Sequence, residues 1–170
     1  RATTSGAPNF GYDLCVQRVS SEEKAGLDLS SWKVAFNGAE PVRADTLERF
    51  SMAFRACGFD AGACYPCYGL AEATLMVSGG APGAFPANAA FDRAKLEQNR
   101  AVEGDSDVVR LVSSGVALPG EELAIVDPES GRALADSEVG EIWAAGPHIA
   151  SGYWGKAEET ESVFGARLEG

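Results

Sequence analysis

Histidine is almost absent from this chain: His148 is the only one in 170 residues. Basic residues are scarce as well, 14 against 25 acidic, for a net charge of −11. A nucleic-acid interface needs a basic stripe to neutralise phosphates, and none runs along the sequence, so no nucleic-acid partner is expected. No apolar run approaches the roughly 18 residues of a transmembrane helix, so no membrane span is expected either. No charged-then-apolar leader follows Arg1, which argues against a secretory signal and for a cytoplasmic protein. Metal ligands are thin: the one histidine is joined by Cys15, Cys57, Cys64 and Cys67, scattered apart from the last pair, whereas a structural zinc site wants four ligands together. Cys64-Tyr65-Pro66-Cys67 has redox spacing, but such a motif works at the head of a helix, where the dipole lowers the thiol pKa. Here the run leads into Tyr68-Gly69 and reads as a strand ending in a turn, so ordinary reduced cysteines are expected. There is no internal repeat and no low-complexity tract.

What remains is ordinary globular material, 45% hydrophobic and 23% charged, long enough for one large domain or two small ones. Pro8 suits the first turn of a helix through Tyr12, Leu14, Val16 and Val19. Ser20-Ser21-Glu22-Glu23 offers a cap and early acidic residues to a short second helix ending at Gly26. Lys33 to Asn37 reads as a strand. From Arg43 to Cys57, Leu47, Phe50 and Phe54 fall on one face of an amphipathic helix closed by Gly58. A second strand is expected near Ala63 to Cys67 and a third at Leu75-Met76-Val77. Strand, helix, strand argues a parallel layer. Breakers follow at Ala81-Pro82-Gly83 and Pro86, then Phe91 to Asn99 reads as a short charged helix. Strands are expected at Val108 to Val112, Glu122 to Val126 and Val139 to Trp143, with a hairpin-type turn at Asp127 to Gly131. The fold class expected is α/β: a partial parallel-sheet subdomain over 1–80, a linker over 81–107, and a small β-rich subdomain over 108–170.

Three places invite chemistry. Thr3 to Pro8 looks like a phosphate loop, but one glycine and no lysine fit a plain strand-to-helix turn better. The other two are strand-end turns, Asn37 to Pro41 and Tyr65 to Thr74, where ligands of α/β sheets collect. The second pairs a ring able to stack on a base, Tyr68, with a carboxylate able to hold Mg²⁺, Glu72. If they share a ligand, Tyr68, Glu72 and Gly38 face one cleft.

Phe36-Asn37-Gly38-Ala39-Glu40-Pro41-Val42, then Cys67-Tyr68-Gly69-Leu70-Ala71-Glu72-Ala73-Thr74, then Gly140 to Trp143 through Gly152-Tyr153-Trp154 resemble three ordered motifs of the adenylate-forming enzyme superfamily. The opening Thr4 to Phe10 and the stretch from Phe91-Asp92-Arg93 resemble its fatty acyl-AMP ligase branch. The resemblance covers essentially the whole chain. It implies that Gly38, Ala39 and Glu40 border an adenine, that Tyr68, followed by Gly69, stacks on it, and that Glu72 binds the Mg²⁺ bridging ATP phosphates. It places Asn9, Phe10 and Asp13 near an acyl tunnel. Ala71 stands where many relatives carry a threonine that meets the α-phosphate, so that contact is expected elsewhere, with Thr74 the candidate. The Gly140 to Trp154 motif is structural, and His148 is expected to be non-catalytic.

The implied reaction joins a fatty acid to ATP, giving an acyl-adenylate and pyrophosphate, with transfer of the acyl group to the phosphopantetheine of an acyl carrier protein. An insertion that discourages coenzyme A is expected within about Asn88 to Leu118, including part of the 81–107 linker. Both ends are expected to be cuts in a longer chain: a glycine-rich phosphate loop before Arg1, a ribose-gripping Thr-Gly-Asp motif after Gly170, and a further domain with the catalytic lysine. Lys156 lies too near Trp154 to be that lysine, so no catalytic residue is expected in this piece and it should be inactive alone. Two alternatives stay open: a coenzyme A ligase of the same superfamily, and a non-catalytic structural or interaction module.

Overall fold

The computed structural model describes residues 1–169. In chain order it runs β1 (Thr4–Gly6), α1 (Asn9–Arg18), α2 (Ser21–Ala25), β2 (Val34–Asn37), α3 (Ala44–Phe54), β3 (Cys64–Gly69) and β4 (Met76–Gly79). There follow β5 (Asn88–Asp92), α4 (Arg93–Leu96), β6 (Val108–Val112), β7 (Val116–Ala117), β8 (Glu122–Val126), β9 (Glu141–Ala145) and α5 (Ala157–Phe164). A five-stranded sheet has the order β1-β2-β3-β4-β7, and β5-β6 and β8-β9 form two-stranded sheets, an α/β fold. The chain divides into two units, one of Arg1–Gly69, Ser78–Ala90 and Arg110–Val116, the other of Leu70–Val77, Phe91–Val109 and the residues from Ala117 on.

In the first unit β1, β2 and β3 run parallel, with Thr4 opposite Val34 and Ala35 opposite Cys64. Parallel neighbours need a crossover; α1 and α2 supply the first and α3 the second. Ala35 and Cys64 are both buried, and their small side chains leave room for aromatic residues in the core. Leu47, Phe50 and Phe54, spaced by three and four on α3, are each 2–3% exposed. Phe50 meets Tyr12 edge-on at 4.9 Å and Phe59 at 5.0 Å, and Trp32 closes the cluster against Phe59 at 5.4 Å. Tyr12 joins the core but keeps its hydroxyl bonded to Phe36 O at 2.8 Å; burial pushes its pKa up. The start of α2 is a reciprocal capping box, Ser20 Oγ accepting from Glu23 N and Glu23 Oε2 from Ser20 N.

The second unit is built around the antiparallel pair β8 and β9, with Ala124 opposite Trp143 and Val126 fully buried. Asp127 Oδ1 accepts from Glu129 N and Ser130 N, and Gly131 N returns to Asp127 O at 2.8 Å. The stretch read as a helix from Phe91 to Asn99 is different: Phe91 and Asp92 close β5, and Asp92 caps a four-residue helix by accepting from Lys95 N at 2.9 Å. Glu97, Gln98 and Asn99 give a longer helix no apolar face after Leu96, and Asn99 turns left-handed at φ 57°. Helix α5 was not anticipated. No helix among the described residues is long and apolar enough to cross a membrane.

Candidate functional site

Two strand ends of the first unit lie side by side. With Phe36 opposite Tyr65 and Asn37 opposite Pro66, Gly38-Ala39-Glu40 follow the carboxyl end of β2, and Tyr68-Gly69, expected in a turn, are the last two residues of β3, at the end of the sheet where ligands collect. The approach is close. A Cβ on Gly38 would lie 2.9 Å from both the carbonyl oxygen and the Sγ of Cys67, so a larger residue would push the strands apart. Cys67 Sγ donates to Asn37 O at 3.6 Å, and burial pushes this thiol's pKa up. Ala39 has φ 66°, a left-handed conformation that costs a non-glycine residue about 1–2 kcal/mol. Gly38 and Tyr68 are half-buried; Ala39, Glu40 and Gly69 are exposed.

Asn9 holds the first of these turns. It is fully buried, as is Asn37. Its Nδ2 donates to Pro41 O at 2.9 Å, while its Oδ1 accepts from Arg43 N at 3.0 Å and from Asn37 Nδ2 at 3.2 Å. The amide thus fastens both ends of the 37–43 loop to the start of α1. Asp13, one turn on, accepts from Thr46 Oγ1 at 3.3 Å and pairs with Arg49 at 2.9 Å, both on α3. Phe10 is 61% exposed. Of the three residues carried over to an acyl tunnel, one presents an open ring and two spend their polar atoms inside the fold. A separate apolar cavity of about 210 Å³ is lined by Cys64, Pro66, Phe85, Pro86 and Gly115 among others; none of the residues expected to bind nucleotide, metal or acyl chain lines it.

Glu72 and Thr74 belong to the second unit, on the 3-10 turn Ala71–Ala73 and its exit. Glu72 is half-buried. Tyr153 Oη donates to its Oε1 at 2.5 Å, which holds the carboxyl below its usual range and pushes the phenol up. Glu72 O accepts from Ala150 N at 2.7 Å. Thr74, with φ 64°, donates its hydroxyl proton to His148 O at 2.6 Å. A phosphate oxygen would have to compete for that proton. His148 Nδ1 lies 3.3 Å from Glu121 Oε1, both side chains largely buried.

An ionised carboxylate anchored through one oxygen fits Mg²⁺, which takes one or two carboxylates and completes its shell with phosphates and water. No group of three or more His, Cys, Asp or Glu gathers among the described residues, so a cation at Glu72 would draw most of its ligands from nucleotide and solvent. Sequence reasoning missed two supports. Tyr153 stands 81 residues from Glu72, and only its place in Gly152-Tyr153-Trp154 drew notice. The Asn9–Asn37 pair carries no local signal at all.

Residues 1–154 match the family model of the AMP-binding enzymes. Among curated proteins, a medium-chain-fatty-acid acyl-carrier-protein ligase of Teredinibacter turnerae is 43% identical over 99% of this chain and 27% of its own length. A 4-hydroxyphenylalkanoate adenylyltransferase of Mycobacterium tuberculosis is 41% identical over 99% of this chain and 27% of its own. Among solved structures, a fatty acyl-adenylate ligase of L. pneumophila, in complex with acyl adenylate and pyrophosphate, superposes with a TM-score of 0.92 at 46% identity, covering 98% of this chain and 30% of that one. The chain spans little more than a quarter of the curated relatives it matches. Similarity that reaches from Arg1 to Tyr153-Trp154 and takes in both strand-end turns leaves one assignment: this chain belongs to the AMP-binding enzyme family.

Proposed function

We propose that the protein containing this chain is a fatty acyl-AMP ligase, which activates a fatty acid with ATP and passes the acyl group to an acyl carrier protein in the cytoplasm. The observation that carries the reading is the pair of strand ends at one end of the parallel sheet, abreast through Asn37 and Pro66, in a chain whose relatives are named for fatty-acid activation. In this reading Gly38, Ala39 and Glu40 border the adenine, and Tyr68, with Gly69 behind it, stacks on the base. Glu72 is a Mg²⁺ ligand. Thr74 reaches phosphate only by releasing His148 O. Phe10 offers a wall to the acyl chain, with Asn9 and Asp13 bracing the helix and loop around it.

The reaction forms a bond between a carboxylate oxygen of the fatty acid and the α-phosphorus while the bond to pyrophosphate breaks. Catalysis of that step is positioning plus stabilisation of phosphate charge. Bound Mg²⁺ would supply charge neutralisation, and this chain would supply the oxygen ligand and the base-binding wall. The acceptor test incubates the full-length protein with ATP, Mg²⁺ and a fatty acid, and offers phosphopantetheinylated carrier protein and coenzyme A together. Acyl-carrier product is expected. Predominant acyl-CoA would make the protein a coenzyme A ligase, and no thioester or adenylate at all would remove the reading.

A further inference from the structure

We infer that Tyr153 is a positioning residue for the metal ligand Glu72; the inference rests on Glu72 holding a divalent cation as proposed above. The geometry is a tether of three contacts between the 148–153 segment and the Glu72 turn, all within the second unit. Tyr153 Oη reaches Glu72 Oε1 at 2.5 Å, Ala150 N reaches Glu72 O at 2.7 Å, and His148 O receives the Thr74 hydroxyl at 2.6 Å. The first contact sets the carboxylate's rotation; the other two set the backbone from which it hangs.

Tyr153 is itself fixed from behind. Its backbone N–H donates to Thr160 Oγ1 at 2.9 Å, and that hydroxyl lies 3.4 Å from Tyr153 O. Its ring packs edge-on against Phe164 at 5.2 Å. Gly152 lets Thr160 come this close: at φ 137° a Cβ there would lie 2.2 Å from Thr160 Cγ2. Helix α5 therefore holds Tyr153, and Tyr153 holds one oxygen of Glu72, leaving the other to turn toward a cation. A neutral phenol suits the task. It orients the carboxylate without cancelling its charge, whereas a lysine or arginine in its place would compete with the cation.

The partner that orients a metal ligand commonly contributes ten- to a hundredfold in metal affinity. The test uses the full-length protein saturated with α,β-methylene ATP and measures Mn²⁺ binding by electron paramagnetic resonance. Tyr153→Phe keeps the ring on Phe164 and removes only the hydroxyl. It is expected to weaken Mn²⁺ binding about tenfold or more, with the thermal midpoint nearly unchanged. Thr160→Ala, which frees the Tyr153 backbone, should weaken it in the same direction by less. In a Glu72→Gln background Tyr153→Phe should add nothing, because its effect runs through that carboxylate; an equal loss there would show a general structural role and overturn the inference. If Glu72→Gln weakens binding and Tyr153→Phe does not, the positioning role falls while the metal reading stands. If Glu72→Gln leaves Mn²⁺ binding unchanged, Glu72 is not the ligand and both fall.

Discussion

Replacing Asn9 by alanine removes a fully buried amide that bonds three partners. Asn37 Nδ2 would lose its acceptor inside the fold, where its own Oδ1 already has no partner. An unsatisfied buried polar group costs about 1–3 kcal/mol. Pro41 O and Arg43 N lie in partly buried surroundings, so water can restore part of their loss at a net of about 0.5–1.5 kcal/mol each. The expected destabilisation is about 2–6 kcal/mol, and its effect is local to the loop that bears Gly38, Ala39 and Glu40. Urea denaturation of the full-length protein measures the first quantity, and hydrogen exchange at Arg43 N, expected to quicken, measures the second. The Michaelis constant for ATP should rise while fatty-acid chain-length preference stays put. Pairing the change with Asn37→Ala should cost less than the sum, since each removes the other's orphan. A loss below about 0.5 kcal/mol, together with an altered chain-length preference, would refute the bracing argument and return Asn9 to the wall of an acyl tunnel.

Other consequences follow from single contacts. Ser20→Ala removes one half of the capping box and should cost about 1 kcal/mol, read as faster exchange at Glu23 N. Cysteine alkylation under native conditions should label exposed Cys15 first and Cys64 late, since Cys64 is buried and burial pushes its thiol up; early labelling of Cys64 would contradict its place in the core. Arg110 bonds Glu48 at 2.6 Å and holds its carboxyl below its usual range. A carboxylate with a depressed folded pKa stabilises above its unfolded pKa and loses that contribution as pH falls through the folded one. The stability gap between wild type and Arg110→Ala should therefore be fully present near neutrality and close below pH about 4.5, a trend that denaturation at several pH values would show.

Local physics was legible in the sequence where it decided the structure. The apolar spacing of Leu47, Phe50 and Phe54 gave α3 and its buried face, the Ser20–Glu23 pattern gave the start of α2, and the strand read over Lys33 to Asn37 from its run into Gly38 is β2, one residue shorter at its start. Where a cap and a strand end share a residue, the reading failed: Asp92 closes β5 and opens α4, and the sequence pattern merged the two into one helix. Helix α5 has end signals in Glu158, Glu159 and Gly165, but none of its residues is buried, so no apolar face marks it in the sequence. The Gly38 turn and the Tyr68 strand end were found because strand ends are marked by glycine. Their supports were not, because Asn9 with Arg43 and Tyr153 with Glu72 are tertiary pairs whose members look unremarkable alone.

The most direct test of the central claim is ATP–pyrophosphate exchange on the full-length protein with Mg²⁺ and a series of fatty acids, with and without Glu72→Ala. Exchange should depend on the fatty acid and fall about a hundredfold or more in the variant, the scale expected for losing one group that stabilises phosphate charge. The 170-residue piece assayed alone should give no exchange above its own Glu72→Ala control. Fatty-acid-dependent exchange that ignores Glu72, or turnover by the isolated piece, would contradict the account.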